Sequence, residues 1–305
     1  MLKYKAVDSK LSILNQPRRI QLNSPRRQSQ SVQGQLTIEQ FQEFSLPASE
    51  IRQYIVESLE GSAVKKVCLN PQIGEAQLGL WADAAAQARK PVFLRILAME
   101  ALYKHDNSFP WLCKRLADFS AAALLLMLLS PLLLVLMLLV RLYSPGPIFF
   151  QQWRVGQSGQ LFRIFKFRTM VADAEMQHHQ VMKNQQGLHK LKHDPRITPI
   201  GRWMRKLSLD ELPQLINVLR GEMSLVGPRP WALYDALRLS PDGQKRLNAL
   251  PGITGEWQVR ARSHLLELDV VNEIDLEYLR NWSLYRDLKI LLLTIPRVIF
   301  GVGAC

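Results

Sequence analysis

Apolar and polar positions divide the chain into unlike stretches. Residues 1 to 36 are dominated by Gln, Ser, Asn and Arg, as in Asn15-Gln-Pro-Arg-Arg-Ile and Ser24-Pro-Arg-Arg-Gln-Ser-Gln-Ser. Few large side chains there could be buried, so a disordered basic tail is expected, a solvated linker whose Arg pairs could touch anionic lipid. From 37 to 105 the periodicity changes. Ile51 to Leu59 and Trp81 to Ala88 have helical spacing, whereas Val64 to Leu69 and Pro91 to Leu97 read as short strands. That is a small α/β domain, and it shows no chemistry.

Phe119 to Val140 is the longest apolar run, 22 residues without a charge. As a straight helix it would reach about 33 Å, just enough for a hydrocarbon core of about 30 Å. At its centre stands Ser130-Pro131, where proline removes a helical hydrogen bond and crowds the preceding turn, so a break into two half-helices is expected. Lys114 and Arg115 precede the run; Arg141, Arg154, Arg163, Lys166 and Arg168 follow it, with no Asp or Glu from 141 to 170. Positive charge on both flanks favours both ends on the cytoplasmic side, which a re-entrant hairpin satisfies and a single spanning helix does not. A kinked spanning helix and a buried soluble-core helix are the alternatives. Asp118, at the mouth of the run, needs a partner, and Arg115 one turn earlier is the expected one; an ordinary first-turn carboxylate is the plain alternative. Beyond 141 the nearest apolar run, Ile290 to Phe300, is interrupted by Thr294, Pro296 and Arg297, and reads as an amphipathic or core helix.

The overall charge is +13, from 39 Lys+Arg against 26 Asp+Glu, in a chain with 48% hydrophobic residues. Such a chain folds, which excludes global disorder. The long apolar run fits poorly with nucleic-acid binding. Cys68, Cys113 and Cys305 have no metal-ligand or CxxC spacing, so neither a zinc module nor a disulfide framework is expected. The first 20 residues carry basic groups and no apolar stretch of leader length, so a cytoplasmic N-terminus is expected.

Chemistry concentrates after residue 160. Arg205-Lys-Leu-Ser-Leu-Asp-Glu-Leu-Pro-Gln sets Asp210 and Glu211 before an apolar stretch closed by Gly221. Ser208-x-x-Glu211 could be a capping box; Pro213 instead favours a helix beginning at 211 to 213, which would place both carboxylates at its N-terminus and keep Asp210 ionised. Arg229 stands between Pro228 and Pro230, a stiff mounting for a guanidinium fork suited to two phosphate oxygens. Lys166, Arg168, Arg196, Arg202, Arg205, Arg260 and Arg262 add cations, and an anionic substrate is implied, with Arg205, Arg229, Lys166 and Arg168 as its phosphate-binding set. A basic face adsorbed on lipid would explain the charge but not the carboxylates among it. His178-His179 has no i, i+4 partner and reads as solvated. Walker, GxGxxG and GxSxG motifs are absent.

The chain resembles the bacterial sugar transferases, the monotopic polyprenyl-phosphate phosphoglycosyl transferases. Similar stretches are Lys114-Arg-Leu-Ala-Asp, Ser130-Pro131, Ser144-Pro-Gly-Pro-Ile-Phe-Phe-Gln-Gln-Trp-Arg-Val-Gly, Phe165-Lys-Phe-Arg-Thr-Met, Asp194-Pro-Arg-Ile-Thr-Pro-Ile-Gly-Arg, Ser208-Leu-Asp-Glu-Leu-Pro-Gln, Met223-Ser-Leu-Val-Gly-Pro-Arg-Pro, Pro251-Gly-Ile-Thr-Gly-Glu-Trp-Gln-Val and Asn281-Trp-Ser. They stand in family order over about 110 to 305, and residues 1 to 110 lie outside the likeness. The family usually has glycine where Ala261 precedes Arg262, a departure that bears on that loop and on donor-sugar preference.

The resemblance implies an α/β, mostly helical, membrane-associated catalytic domain over 106–305. Its membrane helix would be re-entrant, broken at Ser130-Pro131 and flanked by Lys114, Arg115 and Asp118, with the catalytic domain on the cytoplasmic face of a bacterial inner membrane. It implies transfer of a sugar 1-phosphate from a UDP-sugar to a polyprenyl (undecaprenyl) phosphate, releasing UMP, in the initiating step of exopolysaccharide or other lipid-linked glycan synthesis. Asp210 would be the nucleophile, and Glu211 with Asp210 would hold Mg²⁺, or alternatively Mn²⁺, with Arg205 and Arg229 on the phosphates. A hard cation suits such oxygen ligands. The donor sugar, the pathway, the partner of 37–105 and a homodimeric state stay open. The rival from another class is a catalytically inactive membrane-docked scaffold.

Overall fold

The computed structural model describes residues 34–39, 47–96, 108–174, 176–177, 194–261 and 267–300. The expectations for the tail before 34, for His178-His179, for Arg262 and for Cys305 lie outside the described residues. The chain divides into two compact units, 1–97 with 158–161, and 98–157 with 162–305.

In the first unit, short runs with apolar residues at alternate positions form three parallel strands, β1 (Gln35–Ile38), β2 (Lys66–Leu69) and β3 (Val92–Leu94), in that order. The crossovers are the helices α1 (Ala48–Glu60) and α2 (Glu75–Gln87). Ile38, Val67, Leu69, Val92 and Leu94 are buried with Ile55, Val56 and Leu59 of α1 and Leu78 and Trp81 of α2. The tail boundary expected at 36 falls inside β1, because Gln35 and Leu36 already pair with Lys66 and Val67. Two apolar residues in four are too weak a pattern to announce a strand.

The second unit is built on one helix, α3 (Phe109–Tyr143), with Pro131 in its interior. Pro131, where a kink or break was expected, lies inside this element, with helical residues on both sides of it. Without an N–H, Pro131 leaves the Met127 carbonyl short of its helical donor, and the Ser130 hydroxyl donates to that carbonyl at 2.8 Å. The local hydroxyl therefore replaces the missing donor, as Ser and Thr do in apolar helices. Leu124, Leu125, Met127, Leu128, Leu132, Leu134 and Val135 are exposed. The helix is long and apolar enough to cross a membrane, and only 11% of its most apolar 18-residue window is buried by the chain. That disposes of the soluble-core alternative, because a core helix would be covered.

Both arms of α3 pack within this unit. Trp111 and Ala122 join Phe162, Ile164, Leu215, Val218, Met223, Leu225, Val226, Leu250, Tyr278 and Ile290, whereas Leu136 and Val140 join Phe167 and Met204. The strands are β4 (Phe149–Val155), β5 (Leu161–Phe167), β6 (Ser224–Val226), β7 (Trp231–Ala232) and β8 (Gly252–Thr254). One sheet has the order β5-β4-β7 with β7 antiparallel to β4, and β6 pairs with β8 in parallel. The helices are α4 (Pro199–Lys206), α5 (Leu215–Leu219), α6 (Leu233–Ala236), α7 (Pro241–Gln244), α8 (Glu256–Ala261), α9 (Leu268–Arg280) and α10 (Leu284–Ile299), with a 3₁₀ helix at Leu209–Gln214. Thr198 caps α4 by accepting from the Gly201 N–H, and Gly221, at φ +81°, follows α5 where the chain must turn left-handed. In α10, Asp287 and Ile290 face inward while Leu284, Leu288 and Leu292 are exposed. The described fold is mostly helical.

Candidate active site

Asp210 and Glu211 lie in the 3₁₀ helix between α4 and α5, both buried. The capping box is not formed. Ser208 sits in the left-handed region at φ 55° and makes no side-chain cap, so the carboxylates occupy a tight 3₁₀ turn and not the start of a longer α-helix. Lys166 of β5 and Arg229 of the 227–230 loop converge on Glu211: Nζ donates to Oε1 at 2.7 Å and Nη2 to the same oxygen at 3.1 Å. Arg205, from the last turn of α4, is held by its Nε donating to Thr169 Oγ1 at 2.8 Å, and its charge acts on Asp210 and Glu211.

Asp210 is different from its neighbour. Among the described residues its carboxylate accepts no hydrogen bond, although Lys166, Arg205 and Arg229 act on it through space. The cations expected to favour its ionised form are present, and burial opposes them. Burial pushes the Asp210 carboxyl above its usual range, the Glu211 charge adds to this, and the pull of Lys166, Arg205 and Arg229 does not overcome them. Burial likewise pushes the Lys166 ammonium down, against the opposing pull of Glu211.

Of the four expected phosphate-binding residues, three are at the dyad. Arg168 is not. It is buried, with Nη1 and Nη2 donating at 2.6 Å to the carbonyls of Pro145 and Ser144, just past the end of α3. Its two terminal nitrogens are spent on the backbone oxygens of the turn that follows α3. Arg196 is paired with Asp194 at 2.7 Å, and Arg260 with Glu256 and Glu277; Arg202 is exposed.

Several residues at the site gave no sequence signal. Arg154 of β4 acts on Glu211, Arg229 and Lys166 and reads in the sequence only as a basic flank. Asn217 of α5, fully buried, accepts from the Phe165 N–H at 3.0 Å and donates to the Arg163 carbonyl at 2.9 Å, standing in for a neighbouring strand beside Lys166. Thr169, within the block Phe165-Lys-Phe-Arg-Thr-Met, is fixed by the Thr198 N–H and hydroxyl on its carbonyl. A Cβ at Gly201 would collide with that carbonyl, so glycine is required for the approach.

The first arm of α3 is tied down by charge. Lys114 Nζ donates to Asp287 Oδ2 at 2.6 Å and to the Val226 carbonyl at 3.1 Å. Asp118 accepts from Ser224 Oγ at 2.7 Å and from the Leu225 N–H at 3.2 Å. Arg115, its expected partner, lies 3.5 Å away, and Lys114 at 3.7 Å. Tyr278 and Trp282 complete Asp287 at 2.6 and 3.1 Å.

Among the described residues no group of three or more His, Cys, Asp or Glu could hold a metal. Two adjacent carboxylates, one of them without a donor, nevertheless suit a hard cation that takes its remaining ligands from phosphate and water, as Mg²⁺ commonly does.

Comparison with known proteins gives a consistent likeness. Residues 109–301 match the model of a family described as bacterial sugar transferase. A galactosyl transferase CpsE of Streptococcus agalactiae is 41% identical over 205 residues, 66% of this chain and 45% of that protein. An undecaprenyl-phosphate glucose phosphotransferase of Komagataeibacter xylinus is 42% identical over 228 residues, 70% of this chain and 40% of that protein. A UDP-glucose:undecaprenyl-phosphate glucose-1-phosphate transferase of Caulobacter vibrioides is 44% identical over 194 residues, 61% of this chain and 69% of that protein. The chain thus spans less than half the length of the first two.

Proposed function

This chain belongs to the bacterial sugar transferase family, and we propose that it transfers a sugar 1-phosphate from a UDP-sugar to undecaprenyl phosphate, releasing UMP, through a covalent intermediate on Asp210. The observation that carries this reading is the Asp210 carboxylate itself, buried, without a hydrogen-bond donor among the described residues, and surrounded by Lys166, Arg205 and Arg229. A structural carboxylate in such a place would be expected to use the donors around it. Glu211 does so; Asp210 does not.

An Asp210 oxygen attacks the β-phosphorus of the UDP-sugar, the bond from that phosphorus to the bridging oxygen breaks, and UMP leaves with the electron pair. A phosphate oxygen of undecaprenyl phosphate then attacks the same phosphorus and expels the Asp210 carboxylate. Arg205, Arg229 and Lys166 stabilise the charge on the non-bridging oxygens, and the Glu211 carboxylate holds Lys166 and Arg229 in place between turnovers. Mg²⁺ or Mn²⁺, held by Glu211 with Asp210, neutralises diphosphate charge when bound. The relatives, named as an undecaprenyl-phosphate glucose phosphotransferase, a UDP-glucose:undecaprenyl-phosphate glucose-1-phosphate transferase and a galactosyl transferase, support this acceptor and point to glucose or galactose in the donor. The reaction is the initiating step of a lipid-linked glycan.

The domain works on the cytoplasmic face of the inner membrane with α3 re-entrant, both ends on one side. Support comes from the basic flanks and from the packing of both arms, Trp111 to Ala122 and Leu136 to Val140, within one compact unit.

Mixing enzyme with UDP-sugar in the absence of lipid tests the chemistry. A burst of UMP equal to the enzyme, with a sugar-phosphate adduct on the peptide containing Asp210, is expected. Normal turnover with no adduct would remove the nucleophile from the mechanism, and no UMP under any condition, across a panel of UDP-sugars with acceptor, would favour the scaffold. Full activity in excess EDTA would remove the metal.

A further inference from the structure

Arg246 and Asp275 form an ion pair whose side chains are each only 1% exposed. Replacing such a pair by apolar residues is often neutral or stabilising, so stability alone does not account for it. Arg246 does more than pair. Its Nη2 also donates to the Arg229 carbonyl at 3.1 Å, and its guanidinium lies over the Trp231 ring at 4.7 Å from the centroid. One buried side chain thus grips the residue that reaches Glu211 and the aromatic two positions later.

The rest of that loop is held in the same manner. The Pro228 carbonyl accepts from the Gly252 N–H at 2.9 Å, the Pro230 carbonyl from Arg154 Nη1 at 3.2 Å, and the Val226 carbonyl from Lys114 Nζ at 3.1 Å. Gly227 donates to the Thr254 carbonyl at 2.9 Å, and a Cβ there would meet the Leu250 carbonyl at 2.5 Å. Prolines on either side fix φ. The Arg229 side chain is what such a mounting leaves to respond to a ligand.

We infer that Arg246, neutralised by Asp275, is a positioning residue that fixes the backbone from which Arg229 engages phosphate. The inference rests on the phosphate role of Arg229 proposed above. Phosphoryl transfer depends on such placement, because a donor displaced by about 1 Å can cost on the order of a hundredfold in rate. Lysine at 246 would retain charge, but a single ammonium cannot pair with Asp275, reach the Arg229 carbonyl and cover Trp231 together.

The test is a double-mutant cycle of Arg246→Lys and Arg229→Lys, reading kcat and KM for UDP-sugar in UMP release, with thermal unfolding of each protein. Arg246→Lys is expected to lower kcat/KM about tenfold or more alone and to change little in the Arg229→Lys background, since residues acting through one another are not additive. An equal loss in both backgrounds would overturn the inference while leaving the Arg229 role intact. Wild-type kinetics in Arg229→Lys alone would instead overturn the phosphate role itself and this inference with it. If Arg246→Lys does not fold, the apolar exchange Arg246→Met with Asp275→Leu replaces it in the same cycle: a stable protein with the same Arg229-dependent loss supports the inference, and wild-type kinetics overturn it.

Discussion

Two buried charge clusters stand a short loop apart, and they are built on opposite principles. Around Arg246 and Asp275 one cation meets one carboxylate, both out of water. At Asp210 and Glu211 four cations, Lys166, Arg205, Arg229 and Arg154, face the two carboxylates of the dyad, with Asp235 and Asp194 acting on Arg154 and Arg205 from outside it. Burial is common to both, so burial does not distinguish a reacting site from a scaffold. Charge balance does. A closed pair has nothing further to gain, whereas an excess of cations in a low-dielectric setting is stabilised by an incoming diphosphate.

The contrast can be broken at each carboxylate. Asp210→Asn should lower turnover by about a thousandfold or more, the scale on which nucleophile removal acts, with the protein still folded; UMP release measures it. Asp275→Asn should do the reverse in kind. It leaves Arg246 charged and unmatched in the interior, costing about 3 to 5 kcal/mol of stability, which denaturant unfolding would show. Comparable unfolding midpoints for Asp275→Asn and wild type would erase the distinction.

The contrast sharpens further with pH. Asp210 has a raised folded-state pKa, so its contribution to stability is present below the unfolded carboxylate value of about 4 and is lost as pH rises through the folded value. Asp210→Asn should therefore be more stable than wild type at neutral pH, with the margin shrinking as pH falls toward 4. A margin independent of pH would mean that burial does not strain this carboxylate. Smallest is the effect of Ser130→Ala. Losing the hydroxyl that covers the Met127 carbonyl should cost about 1 kcal/mol, with turnover in membranes slightly reduced.

The two clusters were unequally legible in the sequence. Asp210, Glu211 and the Pro228-Arg229-Pro230 mounting stand out because unusual residue types are adjacent in the chain. Arg246 and Asp275 do not, since they are 29 residues apart and Lys245 beside Arg246 makes it look solvated. Arg168 shows the converse: charge and a place in a shared block suggested a ligand, and only three-dimensional packing revealed that the end of α3 claims it. Proline marks a weak point in α3 that the sequence announced, but the hydroxyl that covers the carbonyl it leaves short was not read from it. The elements themselves were read where periodicity was strong, as in α1, and the short strands β2 and β3 were read as well, whereas β1, placed in the tail, was missed.

The bond from Lys114 to Asp287 spans 173 residues. At a synthesis rate of roughly 5 to 20 residues per second, about 9 to 35 s separate the two ends of that bond in a nascent chain. Through that interval the apolar helix exists while its final counter-ion does not. Asp118, one turn along from Lys114 and Arg115, is made at nearly the same moment. Its own contacts to Lys114 and Arg115 close within a single turn of helix, whereas those to Ser224 and Leu225 wait on more than a hundred further residues. The carboxylate at the mouth of the helix thus combines the shortest-range and some of the longest-range contacts of α3.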